Sequence, residues 1–150
     1  MSNSKRRLIK IKDVMKQKII IMDGMETVKS AIAALREKNA RCVIIRKRHE
    51  NDEYGIVLLG DIAKQVIAKD RSAERVNLYE IMSKPVIGMH PGMDIRYAAR
   101  LFERFGLSQA PVIDGDEVVG LVTYSGLVLH GLTEEICTGD AHRMNPIRGV

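Results

Sequence analysis

"DVMKQKIIIM" at Asp13–Met22 and "EIMSKPVIGM" at Glu80–Met89 are two versions of one segment. Met15 matches Met82 and Met22 matches Met89, both pairs at the same interval along the chain. The same shift carries Thr27 onto Asp94, Val28 onto Ile95, Ala31 onto Ala98 and Leu35 onto Phe102. Thr27 and Asp94 are residue types that cap helix N-termini, because a short side-chain oxygen can accept an unpaired first-turn amide. Behind each, apolar residues recur at i, i+3 and i+7, which predicts a helix with one buried face. The chain therefore carries an internal duplication.

Each predicted helix is followed by a β-rich pair. The first is "RCVIIR" then "YGIVLL", joined by the charged stretch "KRHENDE". The second is "APVI" then "EVVGLVT", joined across the turn signal Asp114-Gly115. Gly55 and Gly120 stand two positions closer together than the other matched pairs, so the first connection is two residues longer. Each copy closes with a helix, "DIAKQVIAKD" and the shorter "SGLVLHGL". This order predicts an α/β (α+β) fold of two β-α-β-β-α repeats, residues 11–68 and 79–132. Neither copy can hide its sheet alone, so the two are expected to pack about a pseudo-twofold axis, sheets face to face with helices outside. Residues 69–78 are expected to be a linker, residues 1–10 a basic arm and residues 133–150 a tail.

A chain of 150 residues with 45% hydrophobic and 29% charged residues is globular rather than disordered. It has no apolar run of about 18 residues and so no expected transmembrane helix. The start "MSNSKRRLIKIKDVM" has no apolar stretch behind its basic residues, which predicts no secretory signal. Cys42 and Cys137 lie far apart, outside any C-x-x-C spacing, which fits a reducing cytoplasm without zinc or disulfides. His49, His90, His130 and His142 show no metal spacing, and Met15, Met22, Met82 and Met89 read as core filler. The net charge of +5 is concentrated between Lys5 and Lys18 and in "RKRH" at Arg46–His49. Such clusters can bind phosphate-bearing partners or simply solvate a surface. With no tryptophan, a base-stacking platform is poorly supported. Phosphate-loop, dinucleotide-fold, zinc-protease and nucleophile-elbow motifs are all absent, so no catalytic or metal-ligating residues are expected.

"DVM…V…A…L", "APVID" and the pattern G-h-h-T-x-x-D-h (h, apolar) resemble the landmarks of CBS domains, named after cystathionine β-synthase. Two in tandem make a Bateman module, and the resemblance spans roughly Ile11 to Leu132. The third landmark is divided between the copies. "GIVLLGDI" keeps Asp61 but has Leu58 in the threonine position, whereas "GLVTYSGL" keeps Thr123 but has Gly126 in the aspartate position.

The resemblance implies a non-catalytic regulatory module that needs no obligatory cofactor. It would bind an adenine ligand (AMP, ADP or ATP, or else S-adenosylmethionine or NAD) between its repeats. It would act as a homodimer away from membranes and pass a conformational change to an effector protein. In the implied site, Asp61, beside Gly60, accepts from the ribose hydroxyls. That pair would face Lys84, Pro85, Val86 and Ile87 together with Leu107, Ser108, Gln109, Ala110 and Pro111. A weaker second cleft would set Thr123 and Ser125 against Lys18, Ile19, Ile20, Arg41 and Cys42. One occupied cleft per chain is expected, the one with Asp61. Read without the resemblance, Asp61 is a helix N-cap, Thr123 a strand residue and Pro111 a shaper of its strand. Two other functions stay open: an interaction module that has lost nucleotide binding, motivated by Leu58 and Gly126, and nucleic-acid binding through the basic arm.

Overall fold

In the computed structural model, which describes residues 8–132, the elements run α1 (Ile11–Val14), β1 (Ile21–Met22), α2 (Val28–Lys38), β2 (Cys42–Ile45), β3 (Gly55–Leu58), α3 (Leu59–Ile62), α4 (Ile95–Phe105), β4 (Gln109–Asp114), β5 (Glu117–Thr123) and α5 (Tyr124–Gly126). A 3-10 turn occupies Leu78–Glu80, and α3 and α5 continue as π-type turns at Ala63–Ile67 and Leu127–Leu132. This is the expected mixture of helix and strand. Two compact units divide it, one of residues 18–87 and one of residues 8–17 with 88–132.

In the first unit, β1 runs parallel to β2, and β2 antiparallel to β3. Thr27 Oγ1 accepts the Ser30 amide at 3.2 Å and starts α2. Asn39, at φ 52, stops it in the left-handed conformation that asparagine tolerates. Between those ends Val28, Ala31 and Leu35 pack into one cluster with Val43, Ile45 and Val57.

The second unit repeats this plan one period further along the chain. Asp94 Oδ1 accepts the Arg96 amide at 2.8 Å and starts α4, which ends at Gly106, φ 63. Ala98 and Phe102 are fully buried, and Phe102 meets Tyr124 edge-on at 5.5 Å. β4 and β5 pair antiparallel about Gly115, whose φ of 66 suits glycine in a tight hairpin. The expected first strand of this copy is reduced to a single parallel bridge, Met89↔Val112, the counterpart of Met22↔Ile45. Proline explains the loss. In the first unit the Ile44 amide donates to the Ile20 carbonyl at 2.9 Å. The residue in place of Ile44 is Pro111, which has no N–H to donate.

The compact units do not follow the repeats, because each copy's opening segment packs with the other copy's body. The Ile11 amide donates to Met93 and Lys12 to Pro91; at the matching positions of the other copy, Leu78 donates to Glu26 and Tyr79 to Gly24. Lys16 bridges Leu121, and Ser83 bridges Ile56. Residues 69–78, expected to be a linker, instead carry Val76 and Leu78, which are 1% and 0% exposed and belong to the first unit's core. Ile9, expected in the basic arm, is buried beside Ile11 and Val14 in the other core.

The exchanged segments also account for two glycines. A Cβ on Gly55 would lie 2.7 Å from Met82 Sδ, and one on Gly120 would lie 2.7 Å from Met15 Sδ and 2.9 Å from the Lys16 carbonyl. The repeated methionines and repeated glycines are thus two sides of one close contact.

Candidate functional site

Each copy of the divided landmark begins a helix directly after a strand. In the first, Asp61 Oδ2 accepts the Leu58 amide at 2.8 Å. In the second, Thr123 Oγ1 accepts the Gly126 amide at 2.9 Å and lies 3.2 Å from Ser125 Oγ. These are the two reciprocal bonds of a capping box, in which the N-cap hydroxyl takes the N3 amide and the N3 acid takes the N-cap amide. Each copy keeps one half. Asp61 is therefore not the N-cap residue but the N3 residue, reaching back to Leu58, whose own side chain has no acceptor. Thr123 is the N-cap as well as the last residue of β5.

The expected site residues fall in both units. Gly60 and Asp61 sit in the unit of residues 18–87, with Lys84, Pro85, Val86 and Ile87. Leu107, Ser108, Gln109, Ala110 and Pro111 sit in the other. The second set divides likewise, Thr123 and Ser125 in one unit and Lys18, Ile19, Ile20, Arg41 and Cys42 in the other. Within units, the structure brings Asp61 beside Arg41 and Cys42, since Cys42 pairs with Leu58 and the Leu59 amide donates to the Arg41 carbonyl. It brings Thr123 beside Gln109 in the same way, and the Tyr124 amide donates to Ser108. Several expected contact residues are interior. Ala110 is 1% exposed and lies in a core cluster; Pro111, Cys42 and Ile20 are also buried. Gly60, Ser108, Ser125, Pro85 and Ile87 are exposed.

Lys84 has a fixed partner. Its ammonium lies 2.6 Å from Asp52 Oδ1, while Asp52 Oδ2 accepts the Arg48 amide at 2.8 Å. The Lys84 ammonium, then the Arg48 amide, hold the Asp52 carboxyl well below the ordinary carboxylate range. Asp52 was not legible as a special residue. It stands in "KRHENDE", which reads as a solvated loop, and its only signal is that this connection is two residues longer than its counterpart.

Among the described residues there is no cluster of histidine, cysteine or acidic side chains able to hold a metal ion. No helix among them is long and apolar enough to cross a membrane. Most of the basic arm, residues 1–7, and the tail 133–150 with Cys137 and His142 lie outside the described residues.

Comparison with known proteins decides the family. Residues 78–131 match the CBS domain. A hexameric CBS-CP12 protein from bloom-forming cyanobacteria is 34% identical, with a TM-score of 0.79 over 81% of this chain and 70% of that one. The chain belongs to the CBS-domain family. The CBS domain pair of protein MJ0100, solved in complex with 5′-methylthioadenosine and S-adenosyl-L-methionine, is 26% identical with a TM-score of 0.71, covering 83% of this chain and 98% of that one. An uncharacterised protein of Methanopyrus kandleri is 26% identical over 124 residues; this chain spans 62% of that protein's length. The duplication read from the sequence is thus a tandem pair of CBS repeats.

Proposed function

We propose that this CBS pair is a non-catalytic regulatory module that binds an adenosine-containing ligand through the Asp61 cleft. AMP, ADP and ATP are the nucleotide candidates, with S-adenosylmethionine and its thioether relatives beside them. The observation that carries this reading is the MJ0100 complex, a similar CBS pair holding two adenosine derivatives. Asp61 supports it: one carboxylate oxygen is engaged by the Leu58 amide, and the half-exposed side chain has a second oxygen for a ribose hydroxyl. Ligand binding acts by favouring one arrangement of a homodimer over another, and an effector protein reads the difference.

The test is a thermal-shift and calorimetric panel of 5′-methylthioadenosine, S-adenosylmethionine, AMP, ADP, ATP and NAD. Ligand at about 100 times its dissociation constant stabilises by roughly 2.7 kcal/mol. Asp61→Asn is the informative variant, because an amide oxygen still accepts the Leu58 N–H while the carboxylate is gone. Binding weakened about tenfold or more is the expected result, since hydrogen bonds to charged groups contribute about 1.5–3 kcal/mol. Undiminished binding in that variant would remove Asp61 from the site.

A second reading is an interaction module that has lost its ligand. The engagement of both Asp61 and Thr123 by backbone amides favours it, because helix capping alone accounts for each side chain. No shift with any member of the panel selects it.

A further inference from the structure

Residues 18–87 contain a cleft of about 220 Å³. Asp23, Met25, Arg46, Arg48, Tyr79 and Lys84 are among its lining residues. Three cations are thus set against two carboxylates, Asp23 in the lining and Asp52 beside Lys84, and Asp23 is engaged locally: its Oδ1 accepts the Met25 amide at 2.8 Å. Asp52 fixes the cationic wall, holding Lys84 at 2.6 Å and Arg48 Nε at 3.5 Å. Tyr79 and Met25, 50% and 68% exposed, add an apolar surface beside it.

The internal repeat is a built-in control for what the fold itself requires. Under the shift that carries Met15 onto Met82, the positions of Arg46, Arg48 and Lys84 correspond to Ile113, Gly115 and Gln17. The second unit folds on the same plan with none of the three cations. Its hairpin stays paired as far as Asp114↔Glu117, whereas in the first unit pairing stops at Ile45↔Gly55. The longer connection leaves the ladder early, and Arg46 and Arg48 at its start line the cleft. The charge is an addition to the scaffold.

We infer that this cleft is a second ligand site, separate from Asp61, which takes a small phosphorylated molecule. Arg46 and Arg48 present the planar forks suited to phosphate oxygens, Lys84 adds a point charge, and Tyr79 and Met25 receive the organic portion. A cleft this small fits a phosphate or diphosphate group with a single ring rather than a polymer.

Amide NMR titration of the whole chain with inorganic pyrophosphate tests the assignment. Saturable shifts at Gly24, Met25, Arg46, Arg48 and Lys84 are expected, weakened at least tenfold in the double variant Arg46→Gln/Arg48→Gln and unchanged in Asp61→Asn. Both arginines are exposed, and an unaltered melting temperature confirms that the double variant is folded. Ribose 5-phosphate and AMP form the second arm. Equal affinities support a site that reads phosphate and sugar alone, and tighter AMP supports a site that also holds the base. No saturable shift, shifts spread over the other unit, or undiminished binding in the double variant overturns the inference. Because Asp61→Asn separates the two sites, failure here leaves the adenosine reading standing, and the converse also holds.

Discussion

Lys84 Nζ lies 2.6 Å from Asp52 Oδ1, joining the segment exchanged between repeats to the connection between β2 and β3. Asp52 is 9% exposed, so the carboxylate is stable there only while its partners hold it charged.

This pair sets an acid limb in the stability profile. The folded-state pKa of Asp52 is depressed below its ordinary 3.8. Its stabilisation is therefore fully present above that value and is lost as pH falls below it toward the folded pKa. Asp52→Asn should lower stability at neutral pH and flatten the profile below about pH 4. Urea unfolding from pH 2 to pH 7, wild type against variant, gives the comparison; parallel curves would contradict it.

The two landmark glycines should differ in their tolerance of a methyl group. Gly120→Ala drives Cβ against the Lys16 carbonyl, which is fixed in a bridge with Leu121 at 2.8 Å. Overpacking of this kind costs about 1–3 kcal/mol. Gly55→Ala meets side-chain atoms first, Met82 Sδ at 2.7 Å, rather than a backbone carbonyl, and should cost less. Denaturant midpoints at matched slopes decide the order.

Capping should be separable from ligand binding. Thr123→Ala removes the acceptor for the Gly126 amide and should cost about 1 kcal/mol, with Thr123→Ser restoring most of it. Asp61→Ala should be destabilised to a similar degree, while Asp61→Asn stays near wild type. A ligand effect seen only in Asp61→Ala would report on the helix start rather than on recognition.

A lone second repeat, residues 78–132, should not fold as a monomer. It lacks Ile9, Ile11 and Val14 from its core. Burying three aliphatic side chains contributes about 1.5–3 kcal/mol each, comparable with the whole stability of a small domain. Circular dichroism and a thermal scan at low micromolar concentration check this, with a peptide of residues 8–17 added in trans as the rescue. A cooperative transition without the peptide would refute it.

Much of the fold was legible in a single repeat interval, the one that carries Met15 onto Met82. The caps Thr27 and Asp94, the buried stripes behind them and the two hairpins all stand where that periodicity puts them. The exchange of opening segments was not legible, because self-similarity reports which segments are alike and not which core each one joins. Pro111 was read as a shaper of its strand, but its cost to the neighbouring strand emerges only once its counterpart Ile44 is seen donating to Ile20. At the candidate site, the division of Asp61 and Thr123 between the copies was plain in the sequence. Their capping bonds were not, since placing Asp61 at N3 depends on helix α3 starting at Leu59. Asp52 was hidden for a different reason: nothing in a charged loop marks which of its acids turns inward.

The exchanged segments also set the kinetic order of folding. A solitary repeat packed in this way could complete its core only with the opening segment of a second copy, so its folding rate would depend on encounters between chains. Carrying two copies on one chain makes the same docking intramolecular, so it no longer depends on protein concentration. Dilution would then unfold the lone repeat and leave the tandem protein untouched.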